Sequence, residues 1–128
     1  MEELIAAAAR VREKAYAPYS HFKVGAALLG GTGVIYTGCN VENASYGATV
    51  CAERGAVLKA VSEGETVFLA LAVVGDMNTP VVPCGICRQF LGEFNRNLPL
   101  ILTNLQGARI QTTLSGLFPA PFELETLK

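Results

Sequence analysis

Charge is scarce in this chain. Only 16% of its 128 residues are Asp, Glu, Lys or Arg, whereas an average globular domain has about 25%. With 51% hydrophobic residues, this composition excludes a disordered chain. Runs of Lys or Arg are missing, and 10 basic residues against 11 acidic ones leave a net charge of −1. That excludes the basic stripe that a polynucleotide's phosphates require, so no nucleic-acid partner is expected. Long apolar runs are missing too. The longest uncharged one, at 67–75, has the length of a strand and falls far short of the roughly 20 residues of a membrane span. No membrane partner is expected. The N-terminus, MEELIAAAARVREKAY, begins acidic, unlike a signal peptide. Histidine occurs once, as His21, and reads as a loop residue rather than a metal ligand. Cysteine occurs four times, at positions 39, 51, 84 and 87. In a chain with this cytoplasmic character, such thiols are more often metal-binding or catalytic than paired.

The length suits a single domain over 1–128. A mean hydropathy of +0.36 is more apolar than a monomer of this size hides comfortably, which predicts subunit interfaces. Leu4, Ala8, Val11 and Ala15 recur on one face of a helix over 2–15, with Glu2 and Glu3 in its first turn. Strands follow at 22–29 and 34–39, joined as a hairpin through the glycines at 30–33. Residues 40–50 read as a loop. A helix over 52–61, apolar on almost every side, is expected to be buried. The run at 67–75 suits a central strand covered on both faces. A helix at 85–95 repeats Cys87, Phe90, Leu91 and Phe94, and a second hairpin spans 98–103 and 108–112. Strands alternating with helices in the middle imply a parallel crossover. The expected fold class is α/β: a mixed sheet of about five strands with helices on both faces.

Three local features carry chemistry: Asn40-Val41-Glu42-Asn43, Cys51-Ala52-Glu53-Arg54 and Pro83-Cys84-Gly85-Ile86-Cys87. Cys84 and Cys87 share a face in a first helical turn, and a C-x-x-C pair can grip one metal ion. Cys51 opens another helix. Residues two apart on a helix diverge by about 200°, so Cys51 and Glu53 meet one ion only if Cys51 sits at the helix's extreme N-terminus. Thiols at helix N-termini are shifted toward thiolate. Three thiolates on one zinc leave an open fourth position for water, the pattern of catalytic rather than structural sites. Arg54 is placed to donate hydrogen bonds to the sulfurs. Glu53 is the acidic residue placed to shuttle protons.

These motifs match the zinc deaminase signature H-x-E followed by P-C-x-x-C, with Cys allowed for His. The chain further resembles the small free-nucleoside cytidine deaminases through YSHFKVGAAL (19–28), GCNVENASY (38–46), CAER (51–54) and PCGICRQ (83–89). The resemblance implies a three-layer α/β/α sandwich and hydrolysis of cytidine and 2′-deoxycytidine to their uridine counterparts with release of ammonia, a step of pyrimidine salvage. It implies one zinc per chain on Cys51, Cys84 and Cys87, with Glu53 carrying protons. Asn40 and Glu42 would hold the ribose hydroxyls, Phe22 would stack near the pyrimidine, and the backbone at Ala52 and Cys84 would meet the base. Tyr46 and Phe122 would lie near neighbouring subunits' pockets in a homotetramer.

Other readings stand beside these. Cys39 could complete a closed, structural zinc site, although it reads foremost as a small buried hydrophobe. Cys84 and Cys87 alone could be a redox pair, which leaves Cys51 and Glu53 unexplained. By pattern alone, Glu42 is a solvated loop charge, Asn40 a turn residue, Phe22 plain core and Arg54 a surface charge. Rival functions are deamination of an aminonucleoside antibiotic of the blasticidin S type, deamination of bases in RNA or DNA, and a zinc-stapled interaction module without catalysis.

Overall fold

The computed structural model describes residues 1–122. It sets them out as α1 (Glu2–Arg12), β1 (Val24–Gly30), β2 (Ile35–Cys39), a 3₁₀ turn (Tyr46–Ala48), α2 (Ala52–Ser62), β3 (Phe68–Gly75), α3 (Gly85–Gly92), β4 (Pro99–Asn104), β5 (Arg109–Thr113) and a short α4 (Leu114–Leu117). The strands form one mixed sheet in the order β2-β1-β3-β4-β5. Only β3 and β4 run parallel, and α3 makes the crossover between them. The other neighbours are antiparallel.

The period-2 geometry of β3 explains the three layers. Leu71 and Val73 join one core with Ala26, Leu28, Leu100 and Leu102, under Ala52, Ala56, Val57 and Leu91 of α2 and α3. Ala70, Ala72 and Val74 join the opposite core with Ala27 and Ile101, under Leu4, Ala7 and Ala8 of α1. The expected α/β/α sandwich is therefore present. Gly38 in β2 lets α2 approach closely: a Cβ there would collide with the backbone of Ala52 and Ala56.

Several boundaries differ from the sequence reading. The first helix ends at Arg12, because residues 13–15 tighten into turns and Tyr16 leaves to pair with the loop, donating to the Asn40 carbonyl at 2.9 Å. Its buried face is Leu4, Ala7 and Ala8, with Val11 and Ala15 only half-buried. The first strand begins at Val24 rather than 22, since the Asn40 side chain takes up the Val24 N–H and the Phe22 carbonyl, each at 2.8 Å. The third helix ends at Gly92, yet Phe90 and Phe94 still pack on the core, and the Phe94 ring lies 4.9 Å from that of Phe68. The second helix is not buried all round within one chain. Its alanine face meets the sheet, while Leu58 and Val61 remain 53% and 40% exposed.

Candidate active site

The N-termini of α2 and α3 converge at one edge of the helical layer, and each is capped by a cysteine. Cys51 is the N-cap of α2 and Cys84 the N-cap of α3, both with extended backbone. This is the placement that lets Cys51 and Glu53 share a site despite their spacing. Cys87, one turn into α3, is buried beneath them. The Cys51 and Cys84 sulfurs are 3.7 Å apart, and all three sulfurs lie within 4.8 Å of one another. Sulfurs on a tetrahedral zinc with bonds of about 2.3 Å stand about 3.8 Å apart, so the donor set fits one zinc with a fourth position open. Cys39, half-buried at the end of β2, does not join the group. His21 is exposed in a left-handed backbone conformation, φ 58°, and is not in the group either.

Electrostatics follow from this packing. A hydrogen bond from the Cys87 thiol, helped by Arg54 and Cys84, lowers the Cys51 thiol to about 5 against the opposing effect of burial. The Cys87 thiol is pushed up, first by donating that hydrogen bond and then by its burial. Arg54 Nη2 donates to Cys51 Sγ at 3.5 Å and to the Thr49 carbonyl at 3.1 Å. Glu53 is 4% exposed, and burial, reinforced by the negative charge on Cys51, pushes its carboxyl up to about 7. A carboxyl so placed can give and take a proton near neutrality.

A cavity of about 210 Å³ opens onto this cluster, lined by Phe22, Asn40, Thr49, Cys51, Ala52, Glu53 and Cys84 together with Val81 and Val82. A second, of about 390 Å³, is lined by Tyr19, Ser20, Glu42, Asn43, Tyr46 and Thr49, so Thr49 borders both. The Glu42 carboxylate accepts from the backbone N–H groups of Tyr19 and Ser20, at 3.0 and 3.1 Å, and from the Ser20 hydroxyl. The Ser20 hydroxyl foremost holds it below its ordinary pKa. Asn40 spends one N–H and one lone pair on Phe22 and Val24, and an amide has one more of each. Phe122 lines neither cavity. It is 62% exposed, and its backbone is gripped in both directions by the Gln89 amide, each bond 2.9 Å.

Sequence reasoning passed over Ser20, Thr49, Val81, Val82 and Gln89. Ser20 and Gln89 lie inside the motif stretches at 19–28 and 83–89, but no periodicity or spacing marks what they bond to. Among the described residues, no helix is long and apolar enough to cross a membrane.

Comparison with known proteins agrees with this geometry. Residues 1–100 match the model of the cytidine and deoxycytidylate deaminase zinc-binding region. The chain is 54% identical over 128 residues to a cytidine deaminase of Sporosarcina psychrophila, spanning 99% of this chain and 94% of the relative. It is 50% identical over 125 residues to the cytidine deaminase of Halalkalibacterium halodurans, spanning 97% and 95%. A crystal structure of cytidine deaminase from Burkholderia pseudomallei superposes with a TM-score of 0.91 at 50% identity, covering 94% of this chain and 98% of that one. That from Mycobacterium leprae gives 0.81 at 36% identity, covering 93% and 97%. With the match running through both cysteine motifs and the relatives alike over nearly their whole length, the chain belongs to the cytidine and deoxycytidylate deaminases, a family with a zinc-binding region.

Proposed function

We propose that this chain hydrolyses cytidine and 2′-deoxycytidine to uridine and 2′-deoxyuridine, releasing ammonia. The observation that carries this reading is the buried Glu53 carboxyl beside three converging thiols, at the floor of a cavity walled by Phe22 and Asn40. A zinc-stapled interaction module has no use for a buried carboxyl there. When bound by Cys51, Cys84 and Cys87, zinc supplies Lewis acidity toward a water molecule. Glu53 takes a proton from the water that adds at C4 of the pyrimidine and delivers it to N3. It then takes the remaining proton from the C4 hydroxyl and gives it to the departing amine, leaving the C4 carbonyl of the product, so one carboxyl serves as base and acid in turn. Phe22 stacks on the ring, and the backbone at Ala52 and Cys84 meets its polar edge. Asn40, with its remaining N–H and lone pair, and Glu42 hold the ribose hydroxyls. Among the described residues no Lys or Arg lines either cavity, and Glu42 is held ionised. A 5′-phosphate would meet negative charge without a counter-charge, which favours the free nucleoside.

We propose a homotetramer in which Tyr46 and Phe122 reach neighbouring pockets. The exposed aromatic side chains of both, 82% and 62%, and the uncovered Leu58 and Val61 support it. Free thiols as metal ligands suit the reducing cytoplasm. The direct test is an ultraviolet assay of purified protein. Loss of cytidine absorbance should stop after chelation and return with added zinc, while cytidine 5′-monophosphate is left almost untouched. Zinc-loaded protein that leaves cytidine unchanged would overturn the reading.

Two variants probe the cluster. Cys39→Ser should retain one zinc per chain by elemental analysis, and loss of zinc would revive the closed four-cysteine site. Arg54→Ala removes the hydrogen bond to Cys51 Sγ. Loss of a partner that orients a metal ligand typically costs about 10–100-fold in activity or metal affinity. Steady-state kinetics at saturating zinc should show turnover falling by that order and the Michaelis constant moving less. Unchanged turnover would leave Arg54 a mere packing residue.

A further inference from the structure

The segment between β3 and α3, residues 76–83, forms one wall of the cavity and delivers Cys84, yet it contains no regular structure. Its position comes from elsewhere. Asn104, the last residue of β4, is 5% exposed and uses its whole amide. Its Nδ2 donates to the Met77 carbonyl at 2.9 Å and the Asn78 carbonyl at 3.1 Å. Its Oδ1 accepts from the backbone of Gln106 at 3.1 Å and Ala108 at 2.9 Å. One half of the side chain shapes the β4–β5 turn, and the other half grips the tip of the 76–83 segment. Beyond the tip the chain folds back so that Val81 covers Gly75, where a Cβ would collide with the Val81 side chain and crowd the Phe22 ring. The remaining ties at this tip are weak: Gln106 Nε2 to Asp76 at 3.4 Å and Arg12 to Asp76 at 3.9 Å, both on an exposed carboxylate.

We propose that Asn104 is a positioning residue of the active site: by holding residues 77 and 78 it sets Val81 and Val82 against Phe22 and brings Cys84 to Cys51. Asn104 touches neither substrate nor metal ligand. It acts through the short stretch 79–83, whose far end Arg88 Nε holds at the Pro83 carbonyl at 2.8 Å. The proposal rests on the deaminase reading for its kinetic consequence, but not for its effect on the thiol cluster.

Asn104→Asp separates the two halves of the side chain. The isosteric carboxylate still accepts from Gln106 and Ala108, so the turn persists, but an oxygen now faces the Met77 and Asn78 carbonyls in place of two donors. In the full-length variant, the Michaelis constant for cytidine should rise about tenfold or more, with turnover at saturating zinc within a few-fold of wild type. Loss of two neutral hydrogen bonds in a binding wall is of that order. Zinc release to a chromogenic chelator should quicken, by less than the roughly 10–100-fold typical of losing a direct partner of a metal ligand. A purely structural role would lower the melting temperature and leave both the Michaelis constant of the folded fraction and the release rate unchanged, and that result would overturn the proposal. If wild type itself leaves cytidine unchanged, the functional reading fails while zinc release still decides the role of Asn104. Should Asn104→Asp not fold, Asn104→Ser, which is too short to span to residues 77 and 78, is put through the same two measurements with the same expectations.

Discussion

Glu53→Gln should leave the protein folded and zinc-loaded while cytidine turnover falls about 10²–10⁴-fold, the usual contribution of a general acid–base group. The amide has the shape of the carboxyl and fits the same buried place at the start of α2. It can donate and accept hydrogen bonds but cannot carry one proton from water to N3 and then a second from the C4 hydroxyl to the amine. Because the site disfavours a charged carboxylate, pushing the carboxyl up to about 7, a neutral amide brings no new desolvation cost. Thermal melting should therefore be no lower than wild type. Since none of the three ligand thiols is altered, elemental analysis should still find one zinc per chain. Turnover within a few-fold of wild type in such a folded, loaded variant would remove Glu53 from the mechanism.

What was legible in the sequence is what repeats or punctuates. The run at 67–75 declared a strand covered on both faces, and the two core layers of β3 bear that out. Cys51 and Pro83-Cys84 marked helix starts, and both cysteines are N-caps. That placement is what reconciles the Cys51–Glu53 spacing with one shared site. The all-round apolarity of 52–61 reads as burial without saying which chain provides it. Within one chain it divides into an alanine face against the sheet and an exposed Leu58–Val61 face. Apolar pattern records that a face is kept from water, but not whether the same chain or another one covers it.

The hydrogen bonds that escaped detection share a different property. Asn40, Gln89 and Asn104 each bond to backbone atoms far along the chain: Asn40 to Phe22 and Val24, Gln89 to Phe122, Asn104 to Met77 and Asn78. A backbone carbonyl accepts regardless of the side chain it belongs to, so the partner leaves no mark at its own position. The early ends of the first and third helices, and the late start of the first strand, are similar in kind. There, local periodicity lost to tertiary hydrogen bonds, as when Tyr16 leaves α1 to pair with the Asn40 loop. The metal-binding cluster was legible because its chemistry is confined to two short motifs. Of the cavity's walls, Phe22 and Asn40 were named only through the family resemblance and Val81 and Val82 not at all, because the walls are assembled from strand ends and loops.

Glu42→Gln should weaken nucleoside binding by about 10–150-fold, the equivalent of the roughly 1.5–3 kcal/mol carried by a hydrogen bond to a charged acceptor. The structure sharpens how this must be measured. Glu42 already accepts from the Tyr19 and Ser20 N–H groups and from the Ser20 hydroxyl, so it organises the 19–22 segment as well as lining the wider cavity. Glutamine can keep the two backbone bonds through its carbonyl oxygen, and its NH₂ can donate to the Ser20 oxygen once that hydroxyl rotates. The segment is thus largely preserved while the negative acceptor is lost. The carboxyl is held below its ordinary pKa, so wild type presents the charged form throughout the neutral range. Two effects can then be told apart by comparing cytidine with 3′-deoxycytidine on both proteins. If Glu42 accepts from the 3′-hydroxyl, wild type should prefer cytidine strongly and the variant should bind both analogues almost equally weakly. The bare base, cytosine, should bind both proteins alike. If the variant instead loses the same factor for cytidine and 3′-deoxycytidine, Glu42 acts only through the Tyr19–Ser20 segment, and its assignment to the ribose falls.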